Sequence, residues 1–218
     1  MKKAIIFLLI LCSVIMFLQP KCVFGEAEEK EVPYPIITQG EDFFVQDGVG
    51  YYLMSSDISS VVFNSFIRAS KVFDRLKVNK IVIILNSPGG SVFDAIGFTQ
   101  LMGEQKNKGI IVETRCYGLA ASAAAIVISA GTKGHRYIAE GSFMMIHELS
   151  SFKFLSVESV SDTEKDAKIK RQIQDEIIAI LARNTKLSKE SLTSKCREES
   201  WFNAKTAIKW GFVDNIIQ

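Results

Sequence analysis

Lys80-Ile-Val-Ile-Ile-Leu-Asn-Ser-Pro-Gly-Gly90 is the stretch that decides the fold. A run of apolar, mostly β-branched residues from Ile81 to Leu85 reads as a strand buried on both faces. Such strands lie in the middle of a parallel sheet covered by helices. Two adjacent glycines stand at its carboxyl end, where open α/β sheets place their ligands. Glycine lets the backbone approach a ligand closely and aim N–H groups at it. The loop is therefore either a tight turn or half of a site that stabilises an anion.

Working outward, Asp42 to Met54 holds two apolar runs around Asp47-Gly48, which predicts a hairpin or a strand after a turn. Ser56-Asp57 is placed to cap a helix from Ile58 to about Leu76, with Val62, Phe66, Ala69 and Phe73 at helical spacing. On the other side, a helix is expected from about Phe93 to Gln105, then a polar connection through Lys106-Asn-Lys-Gly109 and a strand from Gly109 to Tyr117. Gly118 to Gly131 reads as a small-residue turn running into a buried helix. Short strands at Arg136–Ala139 and Ser142–His147 precede a long amphipathic helix from about Val157 to Asn184, and Ser188-Lys-Glu begins another. The charges of the long helix read as a solvated face, while its stripe of Ile169, Ile173, Ile177, Ile180 and Leu181 suits either the core or an interface. Alternating strand and helix means an α/β fold with a parallel sheet in one domain, residues 43–218.

The 218 residues are 48% hydrophobic, enough to bury a core. Lys and Arg number 26 against 24 Asp and Glu, and no basic block with interleaved aromatics occurs, so nucleic acid is not an expected partner. Lys2-Lys3, the apolar run Ala4–Leu18 and the polar stretch to Gly25 read as a signal peptide over residues 1–25, with an uncleaved membrane anchor as the competing reading. Either way the domain is expected to be exported or periplasmic, with import into a eukaryotic organelle as the alternative. Residues 26–42, acidic and carrying Pro33 and Pro35, read as an extended lead-in. Cys12 and Cys22 would leave with a cleaved leader; Cys116 and Cys196 form either one disulfide or two separately buried thiols.

Two side chains stand out chemically. Ser122 follows a strand and a glycine and begins a helix of alanines, where free backbone N–H groups suit a nucleophile whose attack creates an oxyanion. The competing reading is a close-packed helix with serine as one more small residue. His147 ends the next apolar strand, Phe143-Met-Met-Ile-His147, and His135, the one other histidine, lies in the polar turn Thr132–Arg136. No H-E-x-x-H spacing or cysteine cluster suggests a metal, and no cofactor is expected.

Asn86-Ser-Pro-Gly-Gly-Ser-Val92, Gly118-x-Ala-Ala-Ser122, Ala130-Gly131, Arg136, Met145-Ile-His147 and the closing Trp201-Phe-Asn-Ala204 with Trp210-Gly-Phe-Val-Asp214 together resemble the proteolytic subunit of the Clp protease, from about Tyr51 to Ile217. The resemblance implies a crotonase-like ββα superhelix and a Ser-His-acid peptidase. Ser122 is then the nucleophile, His147 the general base, and the N–H groups of Gly90 and Ala123 the oxyanion hole. It also implies a peptide or unfolded protein substrate and a homo-oligomer, with a ring as one form.

Three departures stand beside it. Where the family carries an aspartate two residues before an aromatic, this chain has Glu199, with Glu198 as a neighbouring candidate for the acid. About three extra residues fall at Lys106–Gly109, and Glu148 to Phe154 lacks the proline and glycines of the family's ring-contact segment. Export also conflicts with dependence on a cytosolic ATPase, so that partner is not expected if the leader acts. Two other functions compete: an inactive scaffold or co-subunit, and a crotonase-type acyl-CoA enzyme that would not need the paired Ser122 and His147. A signal peptide peptidase would require a lysine base, for which no lysine is obviously placed.

Overall fold

The computed structural model describes residues 42–149 and 160–217. The leader, nearly all of the lead-in and residues 150–159 of the ring-contact and helix-start readings lie outside the described residues. Strands β1 (Phe43–Gln46) and β2 (Val49–Met54) form the expected antiparallel hairpin around Asp47-Gly48, both with positive φ. β3 (Lys80–Ser87) and β4 (Ile111–Ala121) then add in parallel. β5 (Arg136–Ala139) pairs with β4 through Thr114–Cys116, and the last strand, β8 (Asn215–Ile217), pairs with β5. β6 (Phe143–Ile146) leaves this order and pairs with the far end of β4, Leu119–Ala121, while β7 (Ser200–Asn203) lies antiparallel to β6. The fold is the α/β superhelix expected, with β4 shared between two sets of partners.

The helices are α1 (Ser60–Arg75), α2 (Val92–Asn107), α3 (Ala123–Ser129), α4 (Val160–Asn184), α5 (Lys189–Arg197) and α6 (Ala204–Trp210). Ser59, not Ser56 or Asp57, caps α1, its Oγ accepting from the Val62 N–H. Ile58 is instead drawn into a bridge with Gly90, which delays the helix by two residues. α2 runs through Lys106 and Asn107, so the first half of the expected connection is helix; the Lys106 ammonium donates to the Ala130 carbonyl at the end of α3.

Tyr52, Met54, Ile81, Ile83, Leu85, Val112 and Ile138 form the buried face of the sheet. Tyr52 packs on Phe66 of α1 and Phe98 of α2. The Thr114 hydroxyl donates to the Ile128 carbonyl of α3. Alternate residues point the other way, in a row of Leu53, Ile84, Arg115 and Tyr137. Glu113 lies on that second face, buried beneath Lys80 and Arg115, whose charges outweigh burial and hold its carboxyl below the usual range. The stripe of α4 divides: Ile177, Ile180 and Leu181 enter the core, whereas Ile169 is exposed.

The edge at β8 is closed by charge. Arg136 reaches Asp214 with its Nε (2.8 Å) and Nη2 (2.6 Å), while the backbone N–H groups of Gly134 and Arg136 donate to the same carboxylate. Burial alone would raise the Asp214 pKa, but these donors outweigh it and lower it.

Candidate active site

Strand pairing brings the site together. Between β3 and β4 the register shifts, Leu85 facing Cys116 but Ser87 facing Ala120, so β4 bulges at residues 117–119. Gly118 sits in the bulge at φ 97°, and a Cβ there would lie 2.8 Å from Asn86 Oδ1. Asn86 Oδ1 accepts from the Leu119 N–H at 3.2 Å, and Ser142 Oγ from the Gly118 N–H at 2.8 Å. Asn86 is thus a pin for the bulge. The strand expected to end at Tyr117 continues through Gly118 to Ala121, which carries it to the site.

Ser122 occupies the sharp turn from β4 into α3 at φ 54°, ψ −121°. This conformation is costly for any residue with a Cβ and persists only where its surroundings enforce it. Here the Ser122 N–H donates to the Met145 carbonyl (2.8 Å), and its own carbonyl accepts from the Ala125 N–H (3.0 Å). The turn lifts the side chain out of the strand, and Oγ stands 2.7 Å from His147 Nε2. His147 directly follows β6, so the β4–β6 pairing that anchors Ser122 also delivers the imidazole.

The two glycines of the loop do different jobs. Gly89 (φ 106°) leaves room for the serine turn: a Cβ there would lie 2.7 Å from both Ser122 Cβ and the Ala121 carbonyl oxygen. Gly90 (φ 137°) lies against Ile58, whose carbonyl a Cβ would strike. The Ile58 N–H donates to the Gly89 carbonyl (2.6 Å) and the Ser91 N–H to the Ile58 carbonyl (2.8 Å). Neither bond uses the N–H of Gly90, which a parallel bridge of this form turns to the opposite side. Ala123 begins α3, where helix N–H groups have no partner within the helix. Gly90, Ala123, Ser122 and His147 all line one cleft of about 370 Å³. Its remaining wall is mostly apolar, from Val92, Ile126, Met145, Ile177 and Leu181.

The acid is not brought in the same way. The β6–β7 ladder ends at Ile146 facing Ser200; His147 follows that pair on one strand, and Glu199 precedes it in the turn before the other. The backbone at Glu199 turns to φ 51°, and its Oε1 accepts from Trp201 Nε1 at 3.3 Å. Glu198 Oε1 accepts from Ser194 Oγ at 2.9 Å. Among the described residues neither carboxylate hydrogen-bonds to His147. The Cys196 carbonyl, at the end of α5, accepts from two N–H groups at once, Glu148 (2.9 Å) and Glu199 (3.2 Å). Both Cys196 and Cys116 are free and buried, which decides for two separate thiols; burial pushes Cys196 up to about 11, helped by Glu148, and Cys116 up to about 12. His135 lies elsewhere, 3.9 Å from Glu113. Sequence reasoning did not find the roles of Asn86, Gly89, Ser142 or Trp201. A polar side chain at a strand end and an indole N–H beside an acid are the signals that could have pointed to the first and last.

Comparison with known proteins follows the same outline. The family model described as Clp protease matches residues 53–218. An ATP-dependent Clp protease proteolytic subunit of Porphyromonas gingivalis is 32% identical over 139 residues, which are 63% of this chain and 60% of that protein. The proteolytic subunit 4 of Rhodococcus jostii is 30% identical over 138 residues, 63% of this chain and 68% of the relative. The subunit of Carsonella ruddii is 30% identical over 137 residues.

Proposed function

This chain belongs to the Clp protease family, and from that premise we propose that it is a serine-type endopeptidase in which Ser122 attacks the scissile carbonyl. The observation that carries the reading is the 2.7 Å contact between Ser122 Oγ and His147 Nε2 at an enforced, strained turn. A packing serine has no need of such a backbone or of an imidazole on its hydroxyl. His147 takes the proton from Oγ as the bond to carbon forms, and gives it to the departing amine as the peptide C–N bond breaks. The N–H groups of Gly90 and Ala123 hold the oxyanion, and water, activated by the same imidazole, releases the acyl group. The apolar wall of the cleft suits a peptide or unfolded segment that presents an apolar side chain beside the cleaved bond.

The relatives are named as subunits of an ATP-dependent protease. For this chain we propose a homo-oligomer of exported subunits that acts on peptides without a cytosolic ATPase, a reading drawn from the leader. The Glu199–Trp201 bond favours a second reading, a catalytically silent co-subunit.

Labelling with a fluorophosphonate and mass mapping separates the two. An active enzyme gives an adduct on Ser122 that is lost in Ser122→Ala and falls by at least about 10³-fold in rate in His147→Ala. A folded sample without adduct supports the silent co-subunit.

A further inference from the structure

The backbone brings Glu199 and the residue after His147 to one carbonyl, but among the described residues the Glu199 and His147 side chains share no hydrogen bond. They flank the last β6–β7 pair, Ile146 with Ser200, and the Cys196 carbonyl binds the N–H of Glu199 and that of His147's neighbour Glu148. Yet the carboxylate of Glu199 is engaged by the indole N–H of Trp201, two residues along the chain. Trp201 itself is half-exposed and faces Met145, which carries the carbonyl that anchors Ser122 and also lines the cleft.

Resting on the peptidase reading above, we propose that Trp201 is a positioning residue that draws the Glu199 carboxylate away from His147, so that the resting chain presents a Ser122–His147 pair whose acid is held in reserve. The indole N–H is a donor with no acceptor function, and Glu199 Oε1 is the acceptor it uses. The imidazole Nδ1–H would bid for the same carboxylate. A carboxylate on that nitrogen fixes the ring's tautomer and orientation and stabilises the imidazolium formed during attack. Removing the indole donor frees Glu199 for this role. The effect falls on turnover, because it stabilises a charge that exists only during the reaction, and leaves substrate binding unchanged.

The test is a double-substitution cycle on the full chain with Trp201→Phe, Glu199→Gln and the pair, read by fluorophosphonate labelling and peptide hydrolysis. Trp201→Phe keeps an aromatic ring at an exposed site and is expected to raise kcat about tenfold with KM unchanged, a fraction of what a triad acid contributes. Adding Glu199→Gln to Trp201→Phe removes that gain, and costs more there than in the wild-type background. The indole resonances give an independent readout. The chain has two tryptophans, and Trp201→Phe identifies the Trp201 signal, which shifts in Glu199→Gln. If Trp201→Phe lowers kcat, or Glu199→Gln costs equally in both backgrounds, the indole supports or ignores the acid and the proposal is overturned. Equal labelling of wild type and Trp201→Phe leaves the peptidase standing and removes only the role of Trp201. No labelling of Ser122 in any variant removes the peptidase reading, and this one with it.

Discussion

The two flanks of the Ser122–His147 pair are built by different means. On the side of the proposed oxyanion donor, Gly90 is fixed by hydrogen bonds of its neighbours: Gly89 and Ser91 clasp Ile58 through the backbone, and Ser87 Oγ accepts from the Gly89 N–H while donating to the Ser56 carbonyl at 2.7 Å. On the side of the proposed acid, the backbone is tied down at Cys196, but the carboxylate ends a long glutamate in the exposed turn before β7 and has one indole bond of 3.3 Å. An oxyanion donor must be in place before charge develops, because reorganising it during attack would cost the energy it is meant to supply. A carboxylate that only orients an imidazole tolerates adjustment. The contrast therefore separates the part of the site specified by the fold from the part left to a side-chain equilibrium.

Three substitutions test that contrast. Gly90→Ala forces a Cβ against Ile58 and displaces the donor; kcat for peptide hydrolysis should fall roughly 10²- to 10³-fold, with the folded state checked by its melting curve. A loss below tenfold would mean that Gly90 is not the donor.

Asp214→Asn calibrates what a fixed carboxylate is worth in this molecule. It breaks the clasp on the nearly buried Arg136 and should cost on the order of 3 kcal/mol in denaturant unfolding at neutral pH. Because the folded pKa of Asp214 is lowered from 3.8, the stabilisation is fully present above that value and is lost as pH falls through the folded pKa. The gap between wild type and variant should accordingly close below pH 3.8. A pH-independent gap would show that shape, not charge, is what Asp214 supplies.

Glu199→Gln is the smallest change expected. With its carboxylate exposed and singly bonded, unfolding stability should move by no more than about 0.5 kcal/mol. A loss comparable to that of Asp214→Asn would place Glu199 among the structural charges and erase the difference between the two sides.

The legible parts of the molecule are those governed by periodicity. The strand at Ile81–Leu85, the hairpin around Asp47-Gly48 and the helix ending near Arg75 follow from apolar spacing and turn residues. β4 was less legible because Gly118 looks like a terminator: in sequence nothing distinguishes a glycine that ends a strand from one that sits in a bulge. The bulge depends on Asn86 and Ser142, distant in the chain. The closing strands β7 and β8 are short and take their identity from β6 and β5 rather than from their own pattern. At the site, Ser122 and His147 could be picked out by residue type, since the chain has two histidines and one serine in a run of alanines. The separate tasks of Gly89 and Gly90 could not, because they depend on which neighbour each backbone touches. The direction taken by Glu199 was hidden for a similar reason: a longer acid can choose among donors, and sequence does not rank them.

One carbonyl has a mechanical consequence. Because the Cys196 oxygen grips the chain just after His147 and the chain at Glu199, helix α5 works as a common handle on both. A load applied to that helix is passed through one oxygen to both segments. The spacing between His147 and Glu199 is buffered against such a load. Ser122 is moored through Met145 on the strand that leads into His147, so the serine and the imidazole are carried by the same strand.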